Sequence, residues 1–373
     1  MPLFETVMQE KPPVVLEMGT AYTKLGFAAE AFPRFIIPSE VCLSTSGKIA
    51  KVFEYTGDLE LYDHLVDFFQ MIFFKHILVS PKDRKIVIVE SVFCPTEIRE
   101  SIAKVLFRHF EVALAFFVPT HLVVLATLAI ESALVVDLGY REATVIPVYC
   151  GIQVLNAFQG QPYGAEAIHA EIKKQMIESG VSEEYLTDAV IEDIKVRTCF
   201  VTTFERAVKY REGNPPPPCP DVDYPIQGKE VLKIPGKLRE TAFEVMFPDD
   251  NDFSGLAHVI LESILKCPMD MRKTLAENIF LIGGGSMIMG LTARLKAELL
   301  HLLEVDRYKE RLFLKTFKFH KAAAKSNFVA WLGGSIYGGT DLVLTRSLTK
   351  EAYSRCPRVP DWSNLDDNRG PGN

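Results

Sequence analysis

The chain has 373 residues, 48% of them apolar, and carries 41 basic against 48 acidic side chains for a net charge of −7. That length exceeds one ordinary hydrophobic core and predicts two lobes, while the acidic balance excludes a primary role on nucleic acid, which needs a basic face. No apolar run reaches the length of a membrane span, and residues 1–11 lack the apolar centre of a secretion signal, so a cytoplasmic location is expected.

In chain order, residues 14–17, 24–28 and 34–37 read as strands, turned at Gly19 and at Glu30-Ala31-Phe32-Pro33. Apolar residues at helical spacing (Leu61, Leu65, Phe68, Phe69, Ile72) predict a helix over 59–74. A buried strand follows at 85–89. A helix over 97–110 is entered through Pro95-Thr96 as its cap, and Thr120 is expected to cap another over 121–131. A second run of strands extends from 134 through 154. The order of strands and helices in the first part, followed by a fresh run of strands, suggests a duplicated fold. Helices are then expected at 165–179, ended by Gly180, and at 191–204. Pro215-Pro216-Pro217-Pro218 cannot be helix or central strand and forms an extended surface loop. Helices at 253–266 and 270–278, a strand at 279–282 and a helix at 290–303 complete the pattern, with a flexible tail over 357–373. The seven cysteines show no CxxC spacing and read as reduced, mostly buried thiols, and the eight histidines show no metal-binding spacing.

Two turns carry the chemical signal. Glu17-Met18-Gly19-Thr20 lies between Val14-Val15-Leu16 and Lys24-Leu25-Gly26-Phe27, and Asp137-Leu138-Gly139 lies between Leu134-Val135-Val136 and Ala143-Thr144-Val145-Ile146. Each reads strand, carboxylate-x-Gly, strand. Glycine lets backbone approach a phosphate, and a carboxylate beside it can hold a hydrated cation. A third glycine-rich turn, Gly283-Gly284-Gly285-Ser286, adds to the outline of a nucleotide clamp.

These segments resemble the actin family across nearly the whole chain. Val14 to Phe27 with Pro33-Arg34 and Pro38-Ser39 is similar to the first phosphate loop of actins. Val135-Val136-Asp137-Leu138-Gly139 with Ile146-Pro147-Val148-Tyr149-Cys150-Gly151 is similar to the second. Glu192-Asp193-Ile194-Lys195 resembles the segment below the adenosine, Ile282-Gly283-Gly284-Gly285-Ser286-Met287 the adenosine turn, and Trp331-Leu332-Gly333-Gly334-Ser335 a motif near the C-terminus. Pro81-Lys82-Asp83-Arg84, Glu90-Ser91-Val92-Phe93-Cys94-Pro95, Arg197-Thr198-Cys199-Phe200-Val201 and Val359-Pro360-Asp361-Trp362 most resemble the divergent actin-related protein at the pointed end of dynactin.

The resemblance implies an α/β, two-lobed duplicated fold of the sugar kinase, Hsp70 and actin superfamily, with a central nucleotide cleft and a reduced second subdomain. It implies a first lobe over 1–133, rejoined by 320–356, and a second over 134–319. It carries over, as nucleotide-binding positions, Glu17, Gly19, Thr20, Lys24, Asp137, Gly139, Lys195, Gly284, Gly285 and Met287. Glu17 and Asp137 would meet magnesium through water. The departures speak against turnover. Tyr140-Arg141 replaces a small acidic pair, His121 stands where actins place the glutamine that orients water, Val196 replaces a glutamate near the ribose, and Ile288 replaces an aromatic beside the adenine. Bulky Tyr140 and Arg141 either fill the phosphate turn, or Arg141 pairs with a phosphate. ATP or ADP is therefore expected as a structural ligand, with at most slow residual hydrolysis.

Actins insert a long subdomain after the first hairpin, carrying the loop that docks into the next subunit. Here only residues 40–60 are available. A subunit without that loop ends an open head-to-tail assembly. The expected role is a non-catalytic cap on the pointed end of the short actin-like filament of dynactin, joined to its smaller pointed-end subunits and supporting dynein-driven transport. An active ATPase of the same superfamily and an actin-related subunit of a chromatin remodeller are the alternatives.

Overall fold

The computed structural model describes residues 11–226, 230–248 and 255–360. The chain divides into two compact units, one made of Met1–Ile130 with Phe328–Asn373 and the other of Glu131–Asn327.

In the first unit, β1 (Val14–Met18) is buried at its first three positions, as suits a central strand covered on both faces. It pairs antiparallel with β2 (Tyr22–Phe27), which carries β3 (Phe35–Pro38) on its other side. β4 (Glu40–Cys42) and β5 (Ile49–Lys51) form a separate two-stranded hairpin. β6 (Lys85–Glu90) lies parallel to β1, β7 (Leu114–Pro119) lies parallel to β6, and the short strand Leu348–Thr349 closes the sheet beyond β7. The pattern in chain order predicts no strand at β7. Its apolar run is short and continuous, which periodicity alone cannot tell from a loop or a helix segment. There Phe116 and Phe117 are core residues, each 4% exposed.

α1 (Asp58–Met71) buries Leu61, Leu65, Phe68 and Phe69 at the spacing expected of it. α1 and α2 (Thr96–Lys104) end alike. Each widens into a π turn, Ile72–His76 and Val105–His109. The Ile77 and Phe110 amides bond to the Ile72 and Val105 carbonyls at 2.9 and 3.1 Å, and Val79 and Val112 reach back to Phe73 and Leu106 at 2.9 and 3.1 Å. Between these bonds stand Leu78 (φ 57°) and Glu111 (φ 49°), left-handed without being glycine. The left-handed conformation costs an L-residue roughly 1–2 kcal/mol, held here by buried Ile77, Phe110 and Val112. Phe69, Phe73 and Phe110 pack ring to ring in the same core, with Phe73 and Phe110 centroids 5.4 Å apart.

Two expected caps are corrected. Pro95 holds the cap position of α2, with no side-chain bond. Thr120 does not cap α3 (Thr120–Ala126), which follows Pro119, because Thr120 Oγ1 donates to the Glu90 carbonyl instead; the helix ends at Ala126, short of 131. Residues 357–360, expected as the start of a flexible tail, are docked. Val359 is buried and its N–H donates to Glu100 at 2.7 Å, while Arg99 donates to the Pro360 carbonyl at 2.9 Å. The rest of that tail lies outside the described residues.

The second unit repeats the plan. β8 (Ala133–Leu138) pairs antiparallel with β9 (Ala143–Tyr149), which also carries β10 (Ile152–Gln153) and β11 (Gln159–Gln161). α4 (Ala165–Glu178) ends at Gly180, φ 91°. The single helix expected at 191–204 is two, α5 (Asp188–Thr198), capped by Thr187, and α6 (Phe204–Arg211). The intervening segment is drawn off the helical path by the bond from the Val201 N–H to the Met289 carbonyl at 2.9 Å. β12 (Val222–Ile226) and β13 (Glu230–Ile234) form a hairpin not expected from the pattern. α7 (Gly236–Thr241), α8 (Leu256–Lys266) and α9 (Met269–Ala276) lead to β14 (Ile279–Ile282), parallel to β8, and then to α10 (Leu291–Leu302). The seven cysteines are free, but only Cys199 and Cys267 are buried, and Cys42, Cys150 and Cys356 are exposed.

Candidate functional site

The two turns are built alike to the level of single bonds. Glu17 and Asp137 each stand two residues before a glycine whose N–H closes the turn, Gly19 to the Tyr22 carbonyl at 3.2 Å and Gly139 to the Glu142 carbonyl at 3.0 Å. Across each hairpin the carboxylate faces a fixed partner position, Lys24 opposite Glu17 and Thr144 opposite Asp137. That difference decides the charge of the first turn. Lys24 Nζ lies 2.6 Å from Glu17 Oε1, with both side chains mostly buried. The other oxygen, Oε2, accepts from the Trp331 backbone N–H at 2.9 Å. Trp331 is fully buried and its indole N–H donates to the Val15 carbonyl at 3.0 Å. The lysine that the resemblance assigns to phosphate is thus balanced by its own hairpin, and the carboxylate assigned to hydrated magnesium is used twice. Gly19 and the half-buried Thr20 keep the turn open to approach, and Ser39 Oγ steadies it by donating to the Gly19 carbonyl at 2.6 Å.

In the second turn, the Gly139 and Tyr140 carbonyls accept from the Ala165 and Glu166 amides at 3.1 and 2.8 Å. The first amides of α4, the kind of donors that otherwise bind an anion, are satisfied by the turn itself. Tyr140 stands edge-on to His169, centroids 5.8 Å apart, whereas Arg141 is exposed. The glycine triplet wraps the same turn. Gly283 has φ 83°, and a Cβ there would lie 2.5 Å from Asp137 Oδ1 and from the Leu138 carbonyl oxygen. Gly285 sits against Leu138, Gly284 has open space around it, and Met287 is 49% exposed.

Lys195, buried on α5, is also neutralised. Its Nζ lies 2.6 Å from Glu192 Oε2 and 2.9 Å from His169 Nε2, and the same histidine nitrogen is 2.8 Å from the same carboxylate oxygen. His169 Nδ1 is buried without a partner among the described residues. No spacing rule marks His169 in the sequence, because it reaches this cluster from α4 only when the two helices pack. Val196, next to Lys195, is 68% exposed, Ile288 packs half-buried on the second unit's core, and His121 is fully buried on α3. Among the described residues, no group of three or more His, Cys, Asp or Glu could hold a metal ion.

Burial of Glu192 opposes its ionisation, but the hydrogen bond from His169 and the charge of Lys195 outweigh it and hold the carboxyl down to about 2. A depressed folded-state value contributes stability that is full above the ordinary carboxylate range and is lost as pH falls through it towards about 2. The stability gap between the native chain and Glu192→Gln is therefore expected to narrow from pH 6 to pH 3. Urea midpoints across that range measure it, and a gap independent of pH would contradict the assignment.

Residues 8–355 match the family described as Actin. The chain belongs to the actin family. It is 29% identical to Actin-related protein 10 of Dictyostelium discoideum, over 96% of this chain and 90% of that relative. It is 26% identical to human Actin-like protein 9, over 91% of this chain and 85% of the relative. The actin-like fold inferred from the turn motifs is the fold of this family member. The motifs that carried it form the two carboxylate hairpins and the glycine triplet around Asp137.

Proposed function

We propose that this chain is a non-catalytic actin-related subunit that caps the pointed end of the short actin-like filament of dynactin. In that place it joins the filament to the smaller pointed-end subunits and serves dynein-driven transport along microtubules in the cytoplasm. The observation that carries the reading is the β4–β5 hairpin. Between β3 and α1 the chain holds only residues 39–57, folded as one short hairpin. Its loop is closed by the Leu43 N–H on the Lys48 carbonyl at 2.9 Å and tied to α1 by the Ser44 N–H on Asp67 at 2.8 Å. A pinned hairpin has no reach to offer a following subunit, so head-to-tail growth ends there. The likeness to a relative named Actin-related protein 10 supports the same subfamily.

The absence of turnover is part of the proposal, supported by the internal neutralisation of Lys24 and Lys195 and by Tyr140 packing on His169. Each unit by itself keeps backbone that suits phosphate, at Thr20 in the first and at Gly284 and Gly285 in the second, since the N–H groups of Gly19 and Gly139 close their own turns. Asp137 is the carboxylate that would meet hydrated magnesium. A nucleotide held so would add stability by mass action. The test is growth of short actin-like filaments at the pointed end with increasing purified protein. Growth there is expected to stop while the other end continues, and undiminished pointed-end growth at saturation would sink the cap.

A further inference from the structure

The tetraproline loop has no part in the turns or in the hairpin, yet the fold spends a buried carboxylate and two arginines on holding it. We propose that Pro215–Pro218 is a preformed polyproline ligand, presented to a partner domain whose groove is lined by aromatic side chains and rimmed by basic ones. Each proline ring fixes its own φ and keeps the preceding residue extended. The run from Asn214 to Pro218 lies outside helix and strand, as a polyproline II segment does.

The segment is clamped at both ends. At its start, the Asn214 N–H donates to the Lys209 carbonyl at 3.0 Å, at the end of α6. At its finish, the Cys219 N–H donates to Glu240 at 2.6 Å, and Glu240 is only 2% exposed. Arg206, paired with the same Glu240, donates to the Pro217 carbonyl at 3.0 Å, and Arg239 donates to the Pro220 carbonyl at 2.5 Å. The chain comes so close to α7 that a Cβ on Gly236 would lie 1.6 Å from the Cys219 carbonyl oxygen, so this seat admits only glycine.

Between the clamps the prolines face outward. Pro215, Pro217 and Pro218 are exposed and Pro216 is half-buried. With three residues per turn, Pro215 and Pro218 share one edge of the segment, the spacing that grooves for polyproline ligands read. No hydrogen bond among the described residues ends on the carbonyls of Pro215, Pro216 or Pro218, which leaves them for donors on a groove. The ordering cost of an extended ligand is already met by the fold. After the run, exposed Asp221 and Asp223 give the ligand an acidic flank, hence the basic rim, whereas exposed Lys209 and Arg211 offset Glu212 before it.

The test uses the full-length chain against immobilised SH3, WW and EVH1 domains, chosen to span acidic and basic groove rims. Binding to a basic-rimmed domain is expected, weakening with salt, and the variant carrying Pro215→Ala and Pro218→Ala should bind at least about tenfold more weakly, about 1.4 kcal/mol. Its circular dichroism should match the native chain, since both rings are on the surface. The proposal is overturned if no domain retains the native chain, or if the double variant binds equally. It is also overturned if a free peptide of residues 212–223 binds while the full chain does not, since the body of the protein would then be holding the prolines shut.

Discussion

Replacement of Arg294 by methionine is expected to lower the unfolding free energy by about 3–5 kcal/mol. The guanidinium side chain, on α10, has no solvent exposure. Its donors go to Glu244 twice, at 2.7 and 2.8 Å, to Glu298 at 2.9 and 2.8 Å, and to the Thr202 carbonyl at 3.1 Å. Its plane lies 4.5 Å over the ring of Phe247. Removal of the cation leaves Glu298, 5% exposed, with Arg211 as its remaining partner, and leaves Glu244 without its bidentate bond. A buried charge without its partner costs far more than a partnered one gains. The Thr202 carbonyl also loses its donor, at the segment that separates α5 from α6. Urea denaturation of the native chain and the variant measures the loss, and a difference under about 1 kcal/mol would show that water reaches the network. Replacement of Glu298 by methionine in the same chain should recover part of the loss, because the orphaned charge then goes too.

Gly283→Ala is the second large effect, expected at roughly 2–5 kcal/mol from two additive causes. A left-handed φ of 83° costs an L-residue about 1–2 kcal/mol. A Cβ 2.5 Å from Asp137 Oδ1 and the Leu138 oxygen forces one of them to move, an overpacking cost of about 1–3 kcal/mol. Gly284→Ala is the control. It meets nothing within 4 Å, so it should change stability by no more than about 0.5 kcal/mol. Equal effects from the two variants would refute the account of the triplet as a tight cradle for Asp137.

Both effects depend on partners far away in the sequence, and that separates what could be read beforehand from what could not. The carboxylate-x-Gly hairpins were legible because β-branched runs and a glycine turn act over a few neighbouring residues. The facing of Lys24 and Glu17 also follows from hairpin register. The bond from the Trp331 amide to the same carboxylate does not, since it joins residues 314 apart. His169 meets Lys195 from a different helix, and the wide π turns that end α1 and α2 carry none of the glycines by which helix ends are recognised. Phe116 and Phe117 gave no strand signal because a short apolar run looks the same in a buried helix and a buried strand.

The sequence by itself determined the family, the paired turns and the shortness of the segment between β3 and α1, all of them properties of adjacent residues and of chain length. Only the tertiary structure decided how deeply the two lysine pairs are buried and what distant groups complete them. Lys24 and Lys195 read as free cations in a linear chain, but in the fold each lies 2.6 Å from a carboxylate. Burial raises the cost of an unpaired charge, so each lysine keeps the carboxylate that strand register or one helical turn puts beside it, while the Trp331 amide and His169 of α4 reach the two pairs only through packing of distant segments.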